Sequence, residues 1–321
     1  MVTEIEPFWR RESLILTGVS EPQADSDSRS FSLGPYIGLM RLTHWIKSLF
    51  ILLPLPFAMA SGGDPDPINL TLGILGFSLL SSGVYIFNDI HDRHNDQLHP
   101  SKSQRAVAAG LISPGRASIW GAFVSLSGLA LLSIPGLLSP FAPETWLLGG
   151  AYLAGNILYT VWARSKPWLD VLFLASFFLV RLTLGCSLVL VKASGMLYVT
   201  GFLLALNLAL GKRYSELARG YGPDYRPSLA GYSRSVLARS LALTMAACWI
   251  TYLWYCMNSD LFKSESWWWS VIVVAFGLIL YFRELVVHER GRDPVEVVLK
   301  SIWPRWIIPL WVLLVILSMN W

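Results

Sequence analysis

Asn88-Asp89-Ile90-His91-Asp92-Arg93-His94-Asn95-Asp96 follows directly on the apolar run from Leu70 to Phe87, and reading these two pieces together decides the fold class. The run is long and apolar enough for a membrane helix, which needs about 20 such residues. Asp89, Asp92 and Asp96 then fall at i, i+3 and i+7, so on a continuing helix they share one face. A carboxylate at the centre of a membrane helix costs roughly 2.5–3.5 kcal/mol. Three of them at the end of one call for a reason, and a bound cation supplies it. Lys102 and Arg105 follow closely, so metal and phosphate are expected to bind together.

Working outward, the whole chain is built for lipid. Of 321 residues, 54% are hydrophobic and only 14% charged, against about 25% charged in a soluble domain. The mean hydropathy is +0.51. An all-α polytopic membrane protein is the class that fits. The apolar segments fall at about 38–60, 68–88, 116–136, 145–163, 168–191, 194–211, 236–257, 267–284 and 303–320, which predicts a bundle of nine transmembrane helices. Residues 1–35 are acidic and mixed, without the basic start and apolar core of a signal peptide, and read as a disordered cytoplasmic extension. Residues 36–321 form the membrane domain.

The connections alternate in charge. Those at 89–116, 164–167, 212–239 and 283–305 hold 4, 2, 6 and 5 Lys/Arg, whereas the opposite loops hold only Lys192 and Lys263. By the positive-inside rule, the first group and the N-terminus face the cytoplasm. Nearly every unusual polar residue lies at that end, so one active face is expected. Fifteen tryptophans, with Trp267-Trp268-Trp269 as the densest run, fit membrane–water interface belts. Cys186, Cys248 and Cys256 sit in apolar runs and read as small buried hydrophobes.

Carboxylates are hard ligands, and Mg²⁺ usually takes one or two of them together with waters and substrate phosphate oxygens. Two other readings of the cluster stay open: a solvated acidic loop, and a zinc site from His91, His94 and an aspartate. A second polar element, Lys212-Arg213-Tyr214-Ser215-Glu216, carries two cations beside one carboxylate. Arg41, His44 and Lys47 share a face near the chain's first apolar segment, and Arg181 lies mid-helix, where it must pair or line a cavity.

Asn88-Asp89-x-x-Asp92-x-x-x-Asp96 followed by His99-Pro100-x-Lys102-x-x-Arg105 resembles the first aspartate-rich motif of the UbiA-type prenyltransferase superfamily. Within it, the chain is most similar to the decaprenyl-phosphate phosphoribosyltransferase branch. That likeness rests on Arg41-x-x-His44-Trp45-x-Lys47, on Lys212-Arg213-x-x-Glu216-Leu217 with Arg226-Pro227-x-Leu229-x-x-Tyr232, and on Gly291-Arg292-Asp293-Pro294-x-Glu296. Tyr159-x4-Arg164-x2-Pro167-x2-Asp170 looks like a further family element that commonly has Lys at the position of Arg164. Ser48 and Ala106 stand where the branch usually has Asn and Pro.

The resemblance implies a UbiA-like bundle around a central cavity open to the cytoplasm. It implies Mg²⁺-dependent transfer of a 5-phosphoribosyl group from phosphoribosyl pyrophosphate to a polyprenyl phosphate at the cell membrane. Asp89, Asp92 and Asp96 would hold the metal, with Lys102 and Arg105 beside them in the catalytic set. Lys47, Asn88, Tyr159, Arg164, Lys212, Arg213, Glu216 and Arg292 would bind substrate. The expected partners are these two substrates and the bilayer; no nucleic acid is expected, and a homo-oligomer is left open. The alternatives are an aromatic prenyltransferase using a prenyl diphosphate, whose second motif is acid-rich where this one is cation-rich, and a lipid transporter.

Overall fold

The computed structural model describes residues 33–98, 102–138, 144–262, 266–287, 297 and 300–319. The expected extension at 1–35 lies outside them except for its last three residues, and the chain divides after Leu33. Among the described residues every regular element is helical. They are α1 Gly34–Leu39, α2 Leu55–Ala60, α3 Pro67–His91, α4 Arg93–Gln97, α5 Pro114–Leu138, α6 Thr145–Val161, α7 Leu169–Leu188, α8 Gly195–Ala218, α9 Arg234–Asn258, α10 Trp267–Phe282 and α11 Pro304–Ser318.

Seven stretches are long and apolar enough to cross a membrane: Leu42–Met59, Pro67–His91, Pro114–Leu137, Leu169–Leu188, Gly195–Ala218, Arg234–Asn258 and Trp267–Val287. The remaining two expected segments are the helices α6 and α11, of 17 and 15 residues. Large apolar side chains face outward in helical stripes, Ile119, Phe123 and Leu126 on α5, and Ile272, Phe276 and Ile279 on α10. Such stripes suit a lipid surround.

The first segment is not one regular α-helix. Arg41 takes a left-handed conformation (φ 51°) after α1, and residues Leu42–Leu52 form a 3₁₀ helix before Pro54 starts α2. Proline has no backbone N–H, and Pro54 and Pro56 together deny the chain a continuous α ladder. The tighter winding also lets the chain approach α7 closely. A Cβ on Gly185 would stand 2.1 Å from the Ile51 carbonyl oxygen, so glycine is the residue that permits this contact.

The most extensive packing is between α3 and α5. Gly76 and Gly128 bring the two backbones together there. A Cβ on Gly128 would lie 2.7 Å from both the Gly76 oxygen and the Leu80 nitrogen, which are main-chain atoms and cannot turn aside. Gly128→Ala is therefore expected to destabilise the protein by about 1–3 kcal/mol, measured as a lower unfolding temperature in detergent. An unchanged transition would contradict this crossing.

One core joins the 3₁₀ segment, α3, α6 and α7 through Ile51, Phe77, Leu80, Tyr152 and Leu184. A second joins α7, α8, α9 and α10 to the 227–232 turn through Val171, Leu210, Leu229, Leu237 and Tyr281. Phe57 of α2 packs with Tyr252 of α9 and Val315 of α11, so the first and last apolar segments are neighbours. Trp268 and Trp269 stack at 3.9 Å and remain exposed. All three cysteines are buried and free.

Candidate active site

Helix α3 ends at His91, and Asp92 stands in the break before α4 with φ −88° and ψ 0°. The three aspartates therefore do not line one unbroken helix. Asp89 occupies the last turn of α3, Asp96 lies in α4, and Asp92 turns toward a different neighbour. Asp89 and Asp96 are 3% and 4% exposed. They converge on Arg105, whose Nη1 lies 3.1 Å from Asp89 Oδ1 and 2.6 Å from Asp96 Oδ2. Arg41, placed by its left-handed backbone, also donates to Asp89. Asp92 pairs instead with Arg164, from the turn after α6, with Nη1 2.8 Å from Oδ1. Asn88 Oδ1 accepts a hydrogen bond from Thr160 Oγ1 at 2.9 Å, which ties α3 to α6 beside the cluster.

The second half forms where α8 meets the loop 219–233. Arg213 is fully buried, its Nε 3.0 Å from Asp170 Oδ2 and its Nη1 on Glu216. Asp170 accepts further hydrogen bonds from Ser228 Oγ at 2.9 Å and Tyr232 Oη at 2.5 Å. Burial and this Asp170 contact both push the Tyr232 phenol above its usual range. Trp168, at φ 68°, turns its backbone N–H to the same phenol oxygen at 2.6 Å. Asp170 thus fastens the loop to the start of α7. Arg213, which its sequence context marks as a phosphate ligand, is buried between two carboxylates, with Nη2 left without a hydrogen bond. The partner it found, Asp170, is 43 residues away and outside any local spacing rule.

Arg226 joins the halves. Its Nη1 donates to Tyr159 Oη at 3.1 Å, and its Nε stands 3.7 Å from Glu216. Lys102 reaches over from the other loop, with Nζ 4.3 Å from the centre of the Tyr225 ring. Lys47 lies half-buried on the 3₁₀ segment, and Lys212 half-buried beside Arg213. His44 stands edge-on to Tyr85, and the Arg41 guanidinium lies 5.3 Å from that ring's centre. His99, Pro100, Ser101 and the Gly291–Glu296 stretch, with Arg292, lie outside the described residues. The structure thus gathers Asn88, Asp89, Asp92, Asp96, Lys102, Arg105, Tyr159, Arg164, Arg213 and Glu216 at one end of the helices. It adds Arg41, Asp170 and Arg226 to them. All three stand in the quoted motifs, but a cation near a helix end, as Arg41 and Arg226 are, reads equally as a topology determinant.

Arg181 sits deeper. Its Nη1 donates to the Phe177 carbonyl at 2.8 Å, and its guanidinium lies over the Phe77 and Tyr152 rings at 5.0 and 5.3 Å. Aromatic faces and a carbonyl oxygen, rather than a carboxylate, accommodate this buried cation.

Among the described residues, no three His, Cys, Asp or Glu side chains lie close enough to hold a metal by themselves. The donor set nonetheless fits a hard cation that brings its own oxygen ligands. Asp89 and Asp96 meet at one point through Arg105, and Asp92 Oδ1 is buried without a hydrogen bond, Arg164 Nη1 donating to Oδ2 at 3.1 Å instead. Mg²⁺ needs only one or two protein carboxylates when phosphate oxygens and waters complete its shell.

The UbiA prenyltransferase family profile matches residues 48–303. Decaprenyl-phosphate phosphoribosyltransferase of Mycolicibacterium smegmatis is 26% identical over 279 residues, covering 83% of this chain and 86% of that protein. The protein of the same name from Corynebacterium glutamicum is also 26% identical, over 83% of this chain and 80% of its own length. Among solved structures, the fold aligns with a UbiA homolog from Archaeoglobus fulgidus bound to DMAPP and Mg²⁺. The TM-score is 0.66 at 16% identity, with 88% of this chain and 96% of that one covered. At that identity the likeness is one of fold. A profile that spans most of the chain, over helices long and apolar enough to cross a bilayer, makes this protein a member of the UbiA prenyltransferase family and an integral-membrane transferase.

Proposed function

We propose that the protein transfers a 5-phosphoribosyl group from phosphoribosyl pyrophosphate to a polyprenyl phosphate, releasing diphosphate. One observation carries this reading. The second half of the site offers no spare acid pair, because Asp170 and Glu216 are both engaged by Arg213, while Arg226 and Lys102 stand beside them. A cation-rich second half suits a donor with more phosphate than a prenyl diphosphate carries. The names of the relatives from Mycolicibacterium and Corynebacterium support the same donor.

In this reading Asp89, Asp92 and Asp96 would hold Mg²⁺, which when bound neutralises diphosphate charge as the bond to carbon breaks. Arg41, Arg105 and Arg164 already neutralise those carboxylates, and on substrate entry they are placed to turn to phosphate oxygens. The bond between ribose C1 and the diphosphate oxygen breaks, and one forms from C1 to an oxygen of the lipid phosphate. That phosphate is already an anion, so no strong general base is needed. What the residues contribute is charge stabilisation and positioning in a site poor in water. The loops that carry the site are the Lys/Arg-rich ones, which supports nine spans with the site on the cytoplasmic side of the cell membrane. Residues 1–35 then extend into the cytoplasm.

The test uses purified protein, Mg²⁺ and a polyprenyl phosphate with labelled phosphoribosyl pyrophosphate, and in parallel a prenyl diphosphate with aromatic acids. Label is expected in lipid from the first donor only. Product from the prenyl diphosphate alone would overturn the reading.

A further inference from the structure

Arg181 is a buried charge with no part in the proposed transfer. It lies eleven residues past Asp170 on α7, about 16 Å further along the helix axis at 1.5 Å per residue, away from the aspartates and the loop cations. Arg181, Tyr152 and Ser81 are 9%, 3% and 6% exposed, and Phe77 is fully buried. A cation this deep in an apolar bundle is expensive unless it is paired or lines a polar cavity. Among the described residues no carboxylate reaches it. The Phe77 and Tyr152 rings and the Phe177 carbonyl answer part of its charge, and ring quadrupoles recover only part of what a desolvated ion loses. The open donors lie together. Nη1 donates to the Phe177 carbonyl, Nη2 stands 3.4 Å from Tyr152 Oη, and Nε is buried without a hydrogen bond. Nε and Nη2 form one edge of the guanidinium, the edge whose two parallel N–H bonds grip an anion. Tyr152 Oη, beside that edge, accepts from Ser81 Oγ at 3.3 Å, and its own O–H is a further donor.

We propose that a small monovalent anion of the halide class occupies the α3–α6–α7 contact, held by the Nε–Nη2 edge of Arg181 and the Tyr152 hydroxyl. Charge sets the valence. One guanidinium in a low-dielectric surround is neutralised by one negative charge, and a dianion would leave the contact as badly charged as before, with the opposite sign. Burial sets the size, since residues this enclosed suit a bare ion and not a lipid headgroup with its chains. The ion is structural. It ties together the three helices that carry Asn88, Tyr159 and Asp170, and it is the same whichever donor the enzyme uses.

The experiment melts the purified protein in detergent with sodium chloride, bromide or gluconate at matched ionic strength. Chloride and bromide are expected to raise the wild-type unfolding temperature saturably, by about 5 °C over gluconate at about 100 times the half-saturating concentration. Arg181→Met is expected to melt alike in all three salts. Tyr152→Phe, which keeps the ring, is expected to need about ten times more chloride for half the effect, and it tests the site if Arg181→Met does not fold. Anomalous diffraction from crystals grown in bromide is expected to show the ion against Arg181 Nε. A wild type that melts alike in chloride and gluconate, a halide effect that survives intact in Arg181→Met, or bromide found only elsewhere would each overturn the site.

Discussion

Asp92→Asn is expected to lower turnover by about two to three orders of magnitude while leaving the bundle folded. The substitution keeps the shape of the side chain and removes its charge. Asp92 sits in the break between α3 and α4, partly exposed, and forms an ion pair with Arg164. A partly exposed pair of this kind contributes roughly 0–1 kcal/mol to stability, so unfolding temperature should move little. Catalysis is affected differently. Charge that develops on a departing diphosphate must be met by groups already in place, and a lost ligand there weakens each of them. Initial rates across a Mg²⁺ titration, with an unfolding curve for each variant, separate the two effects. Full activity of Asp92→Asn at saturating Mg²⁺ would remove Asp92 from the site.

Asp170→Ala is expected to act the other way, through the fold first. Asp170 and Arg213 are both 0% exposed. Removing one partner of a buried pair strands the other and costs about 3–5 kcal/mol. Here the same substitution also deprives Ser228 and Tyr232 of their acceptor, so the turn at Pro227–Gly231 loses its attachment to α7. Arg226 stands next to that turn, and activity should fall together with stability. Thermal unfolding in detergent measures the first effect. Replacing all three charges, as in Asp170→Leu with Arg213→Met and Glu216→Gln, is expected to recover part of the stability, because no buried charge is then left without its partner. It should not recover activity, since the loop is still unfastened. An Asp170→Ala protein that melts like wild type would contradict the buried pair.

The legibility of this protein differs sharply between its parts. Membrane helices announce themselves because lipid leaves the backbone no partner but itself, and a run of about 20 apolar residues is enough to mark one. The aspartates were legible for a related reason, since charge at the end of such a run stands out. The break at Asp92 and the 3₁₀ winding of Leu42–Leu52 were not. Both are local departures from α geometry that become acceptable only through tertiary contacts, Arg164 in one case and Gly185 of α7 in the other. The second motif shows the limit most clearly. Lys212 and Arg213 read alike in sequence, yet Arg213 is sealed between Asp170 and Glu216 while Lys212 stays half-buried beside it.

Sequence alone determined that this chain is a helical membrane protein with its polar chemistry gathered at one end, because hydropathy and charge act residue by residue. Only the tertiary structure decided which cation meets which carboxylate. Arg41 reaches Asp89 across 48 residues and Arg164 reaches Asp92 across 72. Such pairs depend on how closely helices cross and on where each one breaks. Helical periodicity governs neighbours three and four residues apart and has nothing to say about partners at those distances.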